Sequence, residues 1–234
     1  MYWGQENSTH TFYAYYPYTE GSAAATAVPV SLPATQTQSE SNSSAHISEL
    51  DFLIATPLSV TSPTSTAAVA NEVDLKYNHL FTILEFQIKG SGNLKAVRLI
   101  TNATLAFSSG TLDITQTAPA ARTAYNFASQ TGTSSEVTTT LTTAATLTSN
   151  NTDTKVYMVI NPGTPTGNCL IGLTSDGTTW QYIYKAAPTE GFKRGVKYVV
   201  SVDAGVVDFY TVTSSTEKVW MDRKLGVSRV AISS

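Results

Sequence analysis

The residues of this 234-residue chain that could do chemistry are few and scattered. His10, His46 and His79 are its three histidines. Each stands in a different segment, without the short spacing that a shared metal ion or an acid–base pair requires. His79 falls in a run of alternating apolar residues and reads as a packed, hydrogen-bonded strand residue. The single Cys169 excludes an intrachain disulfide framework and any multi-cysteine metal site. Between Asn168 and Leu170, at the start of an apolar run, it reads as a small core hydrophobe rather than a nucleophile. Ser215-Thr216-Glu217-Lys218 has S-x-x-K spacing, but that nucleophile needs a helix and companion S-D-N and K-T-G elements that the chain lacks. No G-x-S-x-G, G-x-G-x-x-G or P-loop pattern occurs. Asn151-Thr152-Asp153 and Asp176 offer oxygen ligands, yet without the spaced acidic loop of an EF-hand they read as turn residues. These residues predict no catalytic site, no metal and no cofactor, so the chain is not expected to be an enzyme.

Aromatic residues are the remaining chemistry. Trp180, Tyr182 and Tyr184 recur at period two and share one face of a strand. Such a face could be a platform for a sugar ring, because a flat apolar surface complements axial C–H groups. The same pattern is also what a filled core face looks like, and that is the favoured reading. Phe12-Tyr13-Ala14-Tyr15-Tyr16-Pro17-Tyr18 poses the same choice, since one of its two parities must face outward.

The elements that position these residues follow from composition and periodicity. Charged residues make up 13% of the chain, the net charge is -3, and the 14 Lys and Arg are dispersed, which argues against a nucleic-acid partner. No apolar run approaches the roughly 18 residues of a membrane-crossing helix. Met1-Tyr2-Trp3-Gly4 lacks the basic and apolar regions of a signal peptide. Apolar residues alternate at period two between Gly, Pro, Asn and Ser clusters, which predicts an all-β protein.

Strands are expected at Phe12 to Tyr18 and Leu50 to Ala55, with loops from Gly21 to His46 and from Thr56 to Ala70. Val73, Leu75, Tyr77 and His79 share one parity and Leu84, Phe86 and Ile88 the other, so a bulge or turn near Leu80 to Ile83 must switch faces. Leu94 to Phe107 follows, closed by Ser108-Ser109-Gly110. Val156 to Ile160, apolar on both faces, reads as a central strand. Leu170 to Leu173, Trp180 to Tyr184, Val196 to Val202 and Val206 to Val212 complete the series, with Asp176-Gly177 as a hairpin turn. The weak pattern from Gln116 to Ala124 places a junction near Gln116. The expected division is residues 1–115, residues 116–205 and a tail of residues 206–234.

Four segments, taken in order, resemble the fimbrillin family of Mfa-like and FimA-like pilus subunits. They are FYAYYPY at Phe12 to Tyr18 with DFLIAT at Asp51 to Thr56, VDLKYNHLFTILEFQIKG at Val73 to Gly90, VYMVINPGTPTGNCLIGL at Val156 to Leu173, and GFKRGVKYVVSV at Gly191 to Val202. The resemblance implies two tandem transthyretin-like Greek-key β-sandwich domains. It also implies export as a lipoprotein precursor to the cell surface or outer membrane, and assembly into fimbriae by β-strand exchange with other fimbrial subunits. Family precursors begin with a lipoprotein signal and an N-terminal strand that a trypsin-like protease removes; with Met1 directly before YWGQ, the first domain is expected to lack that strand. Val219 to Ala231, VWMDRKLGVSRVA, is similar to the opening of a FISUMP-type surface module.

The expected mechanism is strand addition, in which an extended segment of one subunit supplies ladder bonds and alternate side chains to an open sheet edge of the next. The candidate donor is Val206, Val207, Asp208, Phe209, Tyr210, Thr211 and Val212, where Val206, Asp208, Tyr210 and Val212 share one face. The alternative is a glycan-binding or host-adhesive surface sandwich that does not polymerise and presents Trp180, Tyr182 and Tyr184.

Overall fold

The computed structural model describes residues 7–18, 24–62, 73–207, 211–213 and 219–221. The chain begins with β1 (Thr9–Phe12), β2 (Tyr15–Tyr16), β3 (Ala27–Leu32) and β4 (Thr35–Gln38), then a single helical turn, α1 (Ile47–Leu50). Next come β5 (Leu53–Ala55), β6 (Leu58–Thr61), β7 (Tyr77–His79), β8 (Thr82–Ser91), β9 (Asn93–Ile100) and β10 (Ala106–Asp113). After a 3-10 turn at Ala120–Arg122 follow β11 (Phe127–Ser134), β12 (Glu136–Thr146), β13 (Lys155–Ile160), β14 (Asn168–Thr174), β15 (Gln181–Ala186) and β16 (Lys197–Val206). β17 (Thr211–Thr213) and β18 (Val219–Met221) pair antiparallel.

Two sheets face each other across the larger core. One is five-stranded in the order β15-β14-β9-β12-β4, the other three-stranded in the order β13-β8-β16. Leu84, Phe86 and Ile88 of β8, Val156, Met158 and Ile160 of β13, and Val202 and Ala204 of β16 meet Val97 and Leu99 of β9, Val137 and Leu141 of β12, and Ile171 and Leu173 of β14. Period-two alternation puts each of these sets on one face, and burial of each large side chain contributes about 1.5–3 kcal/mol. A smaller core joins Val28, Val30 and Leu32 of β3 to Phe107 and Leu112 of β10, with Phe52, Ile54, Phe81 and Tyr125. The protein is an all-β sandwich, as its periodicity predicts.

The face switch predicted near Leu80 to Ile83 is present: β7 lies in a sheet with β2 and β5, while β8 starts at Thr82 in another. Several expected boundaries move. The segment read as a loop from Gly21 to His46 carries β3 and β4, and the connection after Thr56 carries β6, which pairs with β1. Phe12 to Tyr18 is split between β1 and β2 of different sheets. Ser108-Ser109-Gly110 does not end a unit but lies inside β10, where the pairing to β3 shifts register between Phe107 and Gly110. Val206 belongs to β16 rather than opening a new strand. Val156 to Ile160 is covered on both faces, by the larger core and by Val159 in the smaller one, yet β13 edges its sheet. Pairings also cross residue 116: β8 bonds β13 and β16, β9 bonds β12 and β14, and β10 bonds β11.

Candidate functional site

The two sheets approach each other along two seams, and the seams differ in how their backbone edges are satisfied. At the first, β4 runs parallel to β12 in the five-stranded sheet and turns two buried glutamines toward β13 of the other. Gln36 donates from Nε2 to the Val159 carbonyl at 2.6 Å and accepts the Val159 N–H at Oε1 at 2.9 Å. Gln38 accepts the Tyr157 N–H at 2.8 Å and donates to the Lys155 carbonyl at 3.1 Å. Asn42 continues the series, accepting the Lys155 N–H at 3.1 Å and donating to the Asp153 carbonyl at 2.9 Å. Glutamines two residues apart meet alternate β13 residues because both strands have period two. Side-chain amides thus replace the missing neighbour of an edge strand, which would otherwise be a template for pairing.

At the second seam β15 and β16 are both edge strands. Gln181 bridges them, its Nε2 donating to the Ala204 carbonyl at 3.0 Å. Its Oε1 is buried and has no hydrogen-bond partner. β16 is parallel to β8, and the Ile83 N–H donates to the Val196 carbonyl. That phase points the N–H and C=O groups of Lys197, Val199, Ser201 and Asp203 away from β8, toward the open edge. Ile183, Tyr198 and Val200 pack against the larger core from this side and are only partly buried. Val199 is 52% exposed.

Both ends of the candidate donor are described, and its middle is not. Val206 pairs with Ser91 after a register shift, and Val207 is buried in the larger core with its N–H on the Ser91 carbonyl at 3.1 Å. These two residues serve the chain's own fold. Asp208, Phe209 and Tyr210 lie outside the described residues. Thr211 and Val212 belong to β17, opposite Met221 and Trp220 of β18.

The outer face of the three-stranded sheet carries a buried charge. Glu85 on β8 receives Lys197 of β16 at 2.6 Å, Lys155 of β13 at 3.6 Å and the Gln87 amide at 2.8 Å. The hydrogen bond from Lys197, then that from Gln87, holds its carboxyl below the usual range. One carboxylate therefore ties all three strands together. Elsewhere His79, exposed on β7 rather than packed, contacts the Asp51 carboxylate at 2.7 Å beside a small, mostly apolar hollow of about 110 Å³. His46 Nε2 lies 3.3 Å from the Tyr157 carbonyl. Cys169 is buried in the larger core, and burial pushes its thiol pKa up. Among the described residues no three His, Cys, Asp or Glu gather as metal ligands. Ser215 and Lys218 lie outside them.

The aromatic stripe faces solvent, against the reading that it fills a core. Tyr182 stands opposite Gly172 and Tyr184 opposite Leu170, while Ile183 turns inward. Tyr182 and Tyr184 are 42% and 69% exposed. The Arg98 guanidinium sits 4.0 Å over the Trp180 ring. Of the groups described here, Gln36, Gln38, Gln181 and Glu85 are not singled out by sequence reading. The signal for the first two is the alternation Thr35-Gln36-Thr37-Gln38, which sets a polar residue at each inward position of a strand.

A family model described as fimbrillin-like matches residues 1–219. The solved structure of a candidate cell adhesion protein from Bacteroides uniformis ATCC 8492 is similar, with TM-score 0.50 and 17% identity over 85% of this chain and 68% of that one. A second, from Bacteroides ovatus ATCC 8483, gives TM-score 0.48 and 16% identity over 86% of this chain and 64% of its own. No curated protein matches the sequence. The likeness to the first structure is one of fold, and the family match spans most of the chain: the protein belongs to the fimbrillin-like family.

Proposed function

We propose that this protein is a cell-surface fimbrial component, exported as a lipoprotein precursor, that joins its neighbours by strand addition and contributes to adhesion. The observation that carries the reading is the asymmetry of the two seams. Gln36, Gln38 and Asn42 occupy the outer edge of β13, so an incoming strand finds no free ladder there. The β15/β16 side offers the outward backbone groups of β16, the idle Oε1 of Gln181 and the half-covered side chains of Ile183 and Val200. A strand laid along β16 gains main-chain hydrogen bonds and can place alternate side chains against the core. Repeating such a head-to-tail contact gives an open filament rather than a ring.

The donor in this reading is the segment after Val207, beginning with Asp208, Phe209, Tyr210, Thr211 and Val212, because Val206 and Val207 already complete the fold. The test is deletion of residues 208–234, assayed on unboiled denaturing gels of protein from the cell surface. The truncated chain is expected to fold and remain monomeric where the full chain gives a ladder. A truncated chain that still forms the ladder sinks the donor assignment.

A further inference from the structure

The five-stranded sheet has a solvent face that the strand-addition reading leaves unused. Pairing aligns Tyr182, Gly172, Arg98, Thr138 and Thr35 in one row across all five strands. Trp180 and Tyr182 both crowd over Gly172, which has no side chain to obstruct them: a Cβ there would stand 2.9 Å from each ring. Trp180, Tyr182 and Tyr184 follow one another at every second position, so the stripe extends for about 13 Å along the strand edge. Trp180 also lines a shallow cleft of about 450 Å³ whose other walls include Lys95, Arg98, Glu136, Thr140 and Asp176. That volume is within the range of small-molecule sites.

The charges beside the stripe are already satisfied. Arg98 contacts Glu136 at 3.1 Å and donates to the Thr138 hydroxyl at 3.2 Å. Lys95 donates to the Thr142 carbonyl at 3.1 Å. Asp176 accepts the Thr178 and Thr179 N–H groups, each at 2.7 Å. The face therefore presents rings, hydroxyls and a balanced set of charges, Lys95 and Arg98 against Glu136 and Asp176, with no net positive charge to select a sulfate, sialate or phosphate.

We propose that this face, through Tyr184, Tyr182 and Trp180, binds a neutral glycan chain. Pyranose rings stack their C–H faces on the exposed rings of Tyr182 and Tyr184, Trp180 under the Arg98 guanidinium ends the stripe at the cleft, and the sugar hydroxyls hydrogen-bond to the polar walls there. An aliphatic protein surface would match the rings but strip water from those polar walls without replacing its hydrogen bonds, which favours sugar. The proposal is independent of strand addition, since it uses the sheet face and not the β16 edge.

The test is affinity electrophoresis of the full chain through native gels containing laminarin, xylan or galactomannan, with hyaluronan as an acidic control. Retardation by at least one neutral polysaccharide is expected. Tyr184→Ala and Tyr182→Ala should weaken it by about tenfold each, and Tyr184→Phe should keep it within about twofold. Tyr184→Ala should melt at the wild-type temperature, because its ring is mostly in solvent. Unchanged mobility in all three neutral gels, retardation by hyaluronan alone, or full retention in the tyrosine-to-alanine variants would overturn the proposal.

Discussion

Gln36 bonds both backbone groups of Val159, its Oε1 accepting the N–H at 2.9 Å and its Nε2 donating to the carbonyl at 2.6 Å. An amide side chain thereby stands in for the peptide group of an adjacent strand. Sealing one seam in this way restricts the open edge to the opposite side of the sandwich.

Removing the Gln36 amide should be costly, because Val159 is buried and both its peptide groups would lose their partners. Each unsatisfied group costs about 1–3 kcal/mol, so Gln36→Leu, which keeps the bulk, should lower the unfolding free energy by about 2–6 kcal/mol. Urea denaturation measures this. A loss under about 0.5 kcal/mol would mean the amide is dispensable.

Acid should loosen the three-stranded sheet. The folded Glu85 pKa is depressed, so its stabilising contribution is present above the unfolded value of about 4.3 and is lost as pH falls through the folded value. Glu85→Gln should melt a few degrees below wild type at pH 7, and the gap should shrink as pH falls below about 4. Melting temperatures between pH 3 and 7 check this, and a gap that stays constant would remove Glu85 from the acid response.

The edge of β16 can be blocked without disturbing its pairing to β8. The Val199 N–H points to the open side, and proline is tolerated in edge strands where that N–H is not part of the ladder. Val199→Pro should therefore shift the melting temperature by about 4 °C or less, yet prevent the gel-resistant ladder. A normal ladder from this variant would mean that β16 is not the accepting edge.

Much of this architecture is legible in the residues. Leu84, Phe86 and Ile88 alternate strictly, and their burial follows from period two alone. The Tyr77-to-Leu84 parity break places the passage between sheets. Polar strands are harder to read. β4 alternates threonine and glutamine and β12 is threonine-rich, and their inward positions are paired through hydrogen bonds or contributed sparsely by Val137 and Leu141. Their strand character depends on partners distant in sequence, such as Val159 for Gln36 and Leu99 for Val137, and no local pattern records that. The stripe at Trp180, Tyr182 and Tyr184 is visible as a stripe. Which side of the sheet it faces is decided by Ile171 and Ile183, which meet across the β14/β15 pair and turn toward the core.

The central claim, that a neighbour's strand lies along β16, is tested most directly by intermolecular disulfide trapping. Cys169 is buried, so introduced thiols dominate the reaction. Chains carrying Val199→Cys are mixed with tagged chains carrying one cysteine at each position from Asp208 to Val212 in turn, assembled, and oxidised. The account predicts a tag-bearing mixed dimer on non-reducing gels at one parity of that scan and not the other, and none when Val199→Cys is replaced by Lys155→Cys on the sealed side. Mixed dimers absent at all five positions, or formed equally well through Lys155→Cys, would contradict it.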